Sequence, residues 1–255
     1  MQLFDNPLSP YAQKVRLSLY EKDLAFDKHE IFREADRDAL LAVSPRGEVP
    51  ALRDGDIVVY DSRVICEYLE DRYPEVALRP GDAALAARAR RFELICDTQI
   101  DSAVLIFALG KFFRPDVERE HPEYFVAAGK LIDANLASLD AELAGREYVC
   151  GEISTADLAL LPHLTAATFL GHPIPEVLEN VNAWFARMSA RASVQKLTAE
   201  VLASLEKSQQ VEDPFFSNDR LHWRSDRIEA ALRCGMGEWL MAELASGRGF
   251  LSPAP

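Results

Sequence analysis

The strongest constraint in this sequence is a proline at the entrance to a short apolar strand. The stretch Ser44-Pro45-Arg46-Gly47-Glu48 leads into Val49-Pro50-Ala51-Leu52, and Asp54-Gly55 then marks a turn before the strand Ile57-Val58-Val59-Tyr60. This pattern predicts a β-hairpin. Because proline cannot donate to a strand ladder, Pro50 belongs where an edge stays open or where a cis bond turns the backbone outward. In the cis case, the amide and carbonyl of Val49 face solvent.

A helix is predicted to open directly after this hairpin, at Asp61-Ser62. In one interpretation, either side chain simply caps the helix. In the other, exposed backbone donors beside a helix N-terminus form a platform for a peptide-like ligand that carries an amine and a carboxylate. The residues themselves are compatible with both.

The charge of the chain excludes some classes of partner. The 28 Lys and Arg residues are outnumbered by 41 Asp and Glu residues, which gives a formal charge of −13. Such a surface repels phosphate backbones and anionic membranes, so we expect neither nucleic acid nor a membrane as a partner. No leader-like segment opens the sequence and no apolar run is long enough to span a bilayer, so we expect a cytoplasmic protein.

The four cysteines show no pattern of a metal site or of a disulfide framework. Cys66, Cys96, Cys150 and Cys234 are scattered, without a Cys-x-x-Cys motif and without a histidine at ligand spacing. We therefore expect no metal site, and we expect most of these cysteines to be buried as small apolar residues.

The first 75 residues alternate between strand and helix patterns. Ala12, Val15 and Leu19 form the apolar stripe of a helix that begins at Pro10, with Ser9 as its N-cap. The predicted order is βαβαββα, with a strand at 2–4, a helix at 10–23, a strand at 24–31, a helix at 36–43, the hairpin, and a helix at 62–73. Strand-helix-strand units pair in parallel and the hairpin pairs antiparallel, so we expect a small mixed sheet flanked by helices.

The rest of the chain is dominated by helical patterns. We expect a linker at 76–82, an all-helical domain at 83–208, and a C-terminal extension at 209–255 with a final helix near 226–245. Ser154 and Asp157 have the spacing of a helix N-cap and its reciprocal partner at the third helical position. This pair predicts a structural role.

Taken together, these residues resemble the soluble glutathione transferases over about residues 1 to 208. The resemblance is closest to Ser-type, bacterial-like members, and residues 209–255 extend beyond the common family length. The residues that carry it are Ser9-Pro10-Tyr11-Ala12, Lys14-Val15-Arg16-Leu17, the stretch from Ser44 to Leu52, Asp61-Ser62-Arg63-Val64-Ile65-Cys66-Glu67-Tyr68-Leu69, Tyr73-Pro74 and Gly151-x-x-Ser154-x-x-Asp157.

The resemblance implies a fold, a cosubstrate and a set of residue roles. It implies a thioredoxin-like N-terminal domain that binds glutathione, an all-helical domain that holds a hydrophobic electrophile, and a homodimer active in detoxification. Val49 would pair with the cysteinyl part of glutathione through its backbone, and Pro50 would be the cis-proline. Asp61 and Ser62 would hold the γ-glutamyl amine and carboxylate.

The resemblance also assigns catalysis to Ser9. Its hydroxyl, together with the positive end of the helix that begins at Pro10, would stabilise the glutathione thiolate. The alternative is that Ser9 only caps that helix. Tyr11 lies two residues after Ser9, and its phenol would either act on the thiol or line the cleft of the second substrate. Phe112 and Phe113 would line the same cleft; the alternative is that they belong to the core of the helical domain.

One departure from the family pattern and the C-terminal extension bear on these roles. Glu48 precedes Val49, where several classes use a basic residue near the glycyl carboxylate, and Arg33, Arg37 and Arg46 are the candidates to compensate. The extension contains Phe215, Phe216 and Trp223, which would either cover the cleft or pack on the helical domain.

A non-catalytic function on the same fold is the alternative. Relatives of this architecture include bacterial starvation-type regulators and cell-division factors that bind protein partners without glutathione. The Asp61-Ser62 pair and the hydroxyl of Ser9 favour the enzyme, whereas Glu48 and the extension favour the adaptor.

Overall fold

The computed structural model describes residues 1–32, 34–208 and 221–251. By its internal contacts the chain forms two compact units. The first comprises Met1–Glu93, Gly145–Pro162 and Ala183–Phe216, and the second comprises Leu94–Ala144, His163–Asn182 and Ser217–Pro255. The predicted boundaries at 75, 82 and 208 stay predictions.

The N-terminal segment of the first unit contains a four-stranded sheet. Its strands are β1 (Gln2–Asp5), β2 (Asp27–Glu30), β3 (Ala51–Asp54) and β4 (Ile57–Tyr60), and its helices are α1 (Pro10–Glu21), α2 (Arg37–Leu41) and α3 (Ser62–Arg72). The strand order is β2-β1-β3-β4. β1 and β2 pair in parallel, whereas β3 pairs antiparallel with both β1 and β4. The predicted βαβαββα order and the hairpin are confirmed.

Alternating side chains of the sheet enter two separate apolar clusters. Leu3 and Leu52 pack in a cluster with residues of α1 and α3. Their neighbours Phe4 and Ala51 pack instead with Leu40 of α2 and with the loops beside it. Successive strand residues point to opposite faces, so the sheet lies between α1 and α3 on one side and α2 on the other. This three-layer packing fixes the strand ends from which the candidate site is built.

The remainder of the chain to Ser208 is helical, as predicted. The helices are α4 (Ala83–Ile95), α5 (Asp101–Ala108), α6 (Pro115–Glu120), α7 (Pro122–Leu143), α8 (Thr155–Phe169), α9 (Glu179–Ser189) and α10 (Ala192–Ser208). Two π-helical turns, Cys96–Ile100 and Leu109–Phe113, flank α5. Among the described residues, no helix combines the length and apolar character needed to cross a membrane.

The N-terminus of α8 is fixed by the predicted pair of Ser154 and Asp157. The Ser154 amide and hydroxyl each donate to the Asp157 carboxylate at 2.9 Å. The same carboxylate accepts the amide of Val149 at 3.0 Å and the indole Nε1–H of Trp184 at 2.8 Å. Because Asp157 and Trp184 are fully buried, this carboxylate ties α9 and the loop before α8 together, which is a structural role.

The C-terminal extension differs from its prediction. The single helix expected over 226–245 is instead two helices, α11 (Ser225–Arg233) and α12 (Gly237–Ala245). The break falls at Gly235, whose φ of +81° lies in the left-handed region that ends a helix. Two short strands, β5 (Leu221–His222) before these helices and β6 (Gly249–Phe250) after them, pair in parallel. At two residues each, they are too short to show a strand pattern in the sequence.

All four cysteines are buried and none forms a disulfide. This agrees with the expectation that most of them are buried as small residues.

A buried ionic network joins α1 to the sheet and to α10. Arg16 is fully buried, contacts Asp5 at 3.5 Å between Nη1 and Oδ2, and donates to Glu200 through Nη2. Glu200 also accepts the hydroxyl of Tyr20 at 2.7 Å and lies 3.2 Å from the ammonium of Lys28. Burial raises the pKa of the Asp5 carboxyl to about 6, although the attraction of Arg16 opposes that rise.

The raised pKa of Asp5 predicts a pH-dependent effect of Asp5→Asn. The native state binds this proton more tightly than the unfolded chain, whose aspartates titrate near pH 4, so the contribution to stability is full below about pH 4 and is lost as pH rises through 6. Asparagine resembles the protonated carboxyl at every pH. Between pH 4 and pH 7, the free energy of unfolding of the variant should therefore increase relative to wild type by up to about 3 kcal/mol.

Urea denaturation at several pH values measures this difference. Asp27→Asn, on the exposed strand β2, controls for the removal of one negative charge. A difference between Asp5→Asn and wild type that is constant over this range, or that falls with pH, would contradict the assignment.

Candidate functional site

Three segments predicted to form the site emerge from the same end of the sheet. Phe4 in β1 lies opposite Ala51 in β3, and Ala51 lies opposite Tyr60 in β4. Because β3 runs antiparallel to both neighbours, the exit of β1, the entrance of β3 and the exit of β4 share one end. The loop to Ser9, the Val49-Pro50 bond and the Asp61-Ser62 pair follow directly from these strand ends.

The peptide bond between Val49 and Pro50 is cis, which decides between the two interpretations of this proline. The ladder of β3 begins only at Ala51, so the backbone of Val49 lies outside the strand pairing. The turn before it is closed by Ser44, whose carbonyl accepts the amide of Gly47 at 2.8 Å and whose hydroxyl accepts the amide of Glu48 at 3.3 Å. Val49 is therefore held at the entrance of the strand without being part of it.

Asp61, rather than Ser62, caps α3. Its Oδ1 accepts the amides of Arg63 at 3.0 Å and Val64 at 3.4 Å, and its backbone has a φ of +74°. Aspartate and asparagine tolerate this left-handed region better than most residues. Ser62 is the first helical residue and is buried. The cap uses one oxygen of Asp61, and the side chain remains 43% exposed.

The other oxygen of Asp61 faces an arginine that is shared with Glu48. Nη2 of Arg46 lies 2.7 Å from Oε2 of Glu48 and 3.5 Å from Oδ2 of Asp61. The negative charge of Glu48 is therefore compensated within the site. Of the three candidate arginines, Arg46 is placed beside Glu48, Arg37 opens α2, and Arg33 lies outside the described residues. The Arg46 side chain is 47% exposed, so these contacts are weak and exchangeable.

Ser9 is the N-cap of α1, as predicted. Its hydroxyl oxygen accepts the amide of Ala12 at 3.4 Å, and Pro10 occupies the first helical position. A hydroxyl that accepts this long hydrogen bond keeps its own proton for donation. The first turn of α1 contains no acidic residue, so the positive end of its helix dipole is not neutralised from within the helix.

The loop that carries Ser9 is held by Asn6 and Gln13, whose roles no sequence pattern predicted. Asn6 is buried, donates to the carbonyl of Ile31 at 2.8 Å and accepts the amide of Leu8 at 3.0 Å. Gln13 donates to the carbonyl of Pro7 at 2.8 Å. The Asn6-Pro7 dipeptide is a turn signal in the sequence, but its contact with β2's exit depends on the tertiary fold.

The aromatic residues predicted to line the second-substrate cleft belong to different units. Tyr11 is half-buried in the first turn of α1, in the first unit. In the second unit, Phe112 is 57% exposed and stacks on the equally exposed Phe169 with a centroid distance of 6.5 Å. Phe113 is half-buried at the end of the same π-helical turn. Phe112 is therefore a surface aromatic rather than a core residue, and a cleft that joins these residues stays a prediction.

The tail contributes packing where the structure describes it. Trp223 is buried and contacts Trp239 edge to face, with ring centroids 6.1 Å apart. Trp223 is thus a packing residue of the second unit. Phe215 and Phe216 lie outside the described residues.

A sheet with this topology, a cis-proline at the start of its third strand and a capped helix beside it define a thioredoxin-like domain, here followed by helices. Models of the two domains of one family match this chain. The model for the N-terminal domain of glutathione S-transferase matches residues 3–77, and the model for its C-terminal domain matches residues 83–187.

Curated and solved relatives agree with this match. Glutathione S-transferase 3 of Zea mays is 30% identical over 222 residues, covering 79% of this chain and 94% of the relative. A stringent starvation protein A homolog of Coxiella burnetii is 27% identical over 207 residues, with the same coverage. A glutathione S-transferase structure from Rhodospirillum rubrum F11 superposes with a TM-score of 0.64 at 28% identity, covering 77% of this chain and 90% of that one. The chain belongs to the glutathione S-transferase family.

The cap at Asp61 predicts different effects of two substitutions on stability. Asp61→Ala removes the acceptor for two helix amides at a residue with φ +74°, where alanine is less well tolerated than aspartate, so it should lower the free energy of unfolding by about 1–3 kcal/mol. Asp61→Asn keeps both the acceptor and the tolerance of this φ, and should remain within about 0.5 kcal/mol of wild type. Urea denaturation compares the two, and equal effects would contradict the capping role.

Proposed function

We propose that this protein is a glutathione transferase that joins the glutathione thiolate to a hydrophobic electrophile. The observation that carries the proposal is the convergence of Ser9, Val49-Pro50 and Asp61-Ser62 at one end of the sheet. These segments offer a hydroxyl donor, the backbone of Val49 outside the strand pairing, and a helix N-terminus. Together they match the thiol, the peptide backbone and the charged γ-glutamyl end of glutathione.

In this proposal, Asp61 and Ser62 bind the γ-glutamyl end. The exposed Oδ2 of Asp61 accepts from the ammonium group, while Ser62 and the N-terminus of α3 donate to the carboxylate. The backbone of Val49 pairs with the cysteinyl residue as an added strand segment. That backbone lies outside the ladder of β3, which begins at Ala51.

We assign the α-carboxylate of the γ-glutamyl residue also to Arg46, whose Nη2 lies 3.5 Å from Oδ2 of Asp61. This guanidinium is half-exposed and already contacts the Glu48 carboxylate at 2.7 Å, so an incoming carboxylate competes for the same donors. Exposed ion pairs of this kind contribute about 0–1 kcal/mol, and a ligand carboxylate can therefore replace one. Glu48 then modulates affinity without blocking the site.

Ser9 supplies the proton donor for the thiolate. Its O–H and the N-terminal end of α1, which has no acid in its first turn, both favour the anion over the thiol. The pKa of the bound thiol falls as a result, and its proton passes to solvent. The thiolate sulfur then attacks the electrophilic carbon, a C–S bond forms, and the leaving group departs with the electron pair of the bond that breaks.

The electrophile is expected to be apolar. Phe112 offers an exposed aromatic surface extended by Phe169 in the second unit, and Phe113 adjoins it in sequence. In the first unit, Tyr11 follows Ser9 in the opening turn of α1. Flat apolar molecules favour contact with such rings. As the family resemblance implies, we expect the protein to act as a cytoplasmic homodimer in detoxification.

A non-catalytic adaptor is the second candidate. It is favoured by the similarity to a stringent starvation protein A homolog, which matches this chain over the same share as the plant transferase does. An adaptor would use the same fold to bind a protein partner and would need no reaction at Ser9. Absence of glutathione binding by the folded protein would favour it.

Ser9→Ala tests the catalytic assignment. Alanine removes the hydroxyl donor, and a hydrogen bond to a charged group contributes about 1.5–3 kcal/mol. The variant should therefore lower kcat/KM for conjugation of an activated aryl halide by about 10- to 100-fold, while the dissociation constant of glutathione stays within about threefold of wild type.

Ser9→Thr is the matched control, because threonine keeps both the hydroxyl and the capacity to cap α1. It should retain most of the activity. If Ser9→Ala folds normally and conjugates at the wild-type rate, Ser9 serves only as a helix cap and the proposed mechanism is wrong.

A further inference from the structure

A cysteine, an aspartate and a histidine meet inside the second unit, away from the proposed glutathione platform. Cys96 opens the π-helical turn between α4 and α5, Asp97 follows it, and His163 lies on α8. Sγ of Cys96 is 3.2 Å from Nδ1 of His163. One ligand atom from each of the three residues lies within 4.8 Å of the other two. Cys96 and His163 are fully buried, whereas Asp97 is half-buried.

The other ring nitrogen of His163 faces a carboxylate. Nε2 lies 3.4 Å from Oδ1 of Asp101. The second oxygen of Asp101 is held by Nη2 of Arg224 at 3.3 Å and by Nη2 of Arg227 at 3.2 Å, both from the C-terminal extension. Metal-binding histidines almost always donate their free N–H to such a carboxylate, which fixes the tautomer. In His163, a proton on Nε2 leaves the lone pair on Nδ1, which faces Cys96.

We propose that Cys96, Asp97 and His163 bind a divalent metal ion of the zinc class. Thiolate, imidazole and carboxylate are the ligands that zinc takes in proteins. With Zn–S near 2.3 Å and Zn–N near 2.0–2.1 Å, tetrahedral ligands lie about 3.5 Å apart, close to the 3.2 Å between Sγ and Nδ1. Water fills the remaining position. Because Cys96 and His163 are fully buried, the half-buried Asp97 marks the entry for the ion.

The charges around the site suit a dication. Once Cys96 is a thiolate and His163 is a neutral metal ligand, four anionic groups are opposed by two guanidinium groups, which leaves an excess of two negative charges. The groups are Cys96, Asp97, Asp101 and Asp226 on one side and Arg224 and Arg227 on the other. A divalent ion neutralises this excess.

The absence of a metal motif in the sequence has a simple reason. Cys96 and His163 are 67 residues apart, so no local spacing records their contact, which arises only when α8 packs beside the π-helical turn. A metal ion at this point would link these two helices, and through Asp101 it would link them to α11. Its role would be structural, and it is independent of the proposed transferase activity.

Titration of the reduced, chelator-stripped full chain with Co²⁺ tests the site. We expect visible bands of tetrahedral cobalt and a thiolate-to-cobalt charge-transfer band in the near ultraviolet, both lost when Zn²⁺ is added. Cys96→Ser should abolish the charge-transfer band. Cys234→Ser, which removes another buried thiol of the same unit, is the matched control and should leave the spectrum unchanged.

Asp97→Asn keeps the proposal testable if Cys96→Ser fails to fold, because this position is half-buried and the change is isosteric. It should weaken Co²⁺ and Zn²⁺ binding by about 10- to 100-fold. A hydrogen bond between Sγ and Nδ1 would satisfy the same pair of atoms without a metal ion. A folded wild-type chain that shows no thiolate-to-cobalt band in excess Co²⁺, or a Cys96→Ser variant that retains the band, would overturn the proposal.

Discussion

The register between β1, β3 and β4 is the constraint on which the rest of this structure depends. Antiparallel pairing of Phe4 with Ala51, and of Ala51 with Tyr60, brings three chain segments to one end of the sheet. A shift of one residue in β3 would exchange Leu52 and Ala51 between the two apolar clusters, so the hydrophobic core enforces the register. The same packing that stabilises the domain thereby positions its candidate site.

Capping groups have two functions in this account. Asp61 caps α3 with one oxygen and presents the other to Arg46, and Ser9 caps α1 through its oxygen while keeping its proton. Each side chain satisfies a helix terminus and still offers one polar group for a ligand. Because the caps fix these side chains before any ligand arrives, we expect little conformational entropy to be lost on binding.

Features decided by neighbours in sequence were predictable, and features decided by distant contacts were not. The cap at Ser9, the pairing of Ser154 with Asp157, the hairpin and the order of the helices follow from residues within a few positions of one another. Whether Asp61 or Ser62 caps α3 depends on the backbone conformation, and Asp61 has a positive φ. Arg16 and Glu200 are 184 residues apart, so no local pattern predicts their contact. The helix break at Gly235 is a backbone conformation, which the spacing of apolar residues does not reveal.

The most direct test of the central claim is calorimetric titration of the wild-type protein with reduced glutathione. We expect saturable binding with a dissociation constant at or below the millimolar range. Asp61→Asn, which keeps the cap but removes the negative charge that faces the ammonium group, should weaken that binding by about tenfold or more. Absence of binding to the folded wild-type protein, or equal affinity in the two proteins, would contradict the proposed platform.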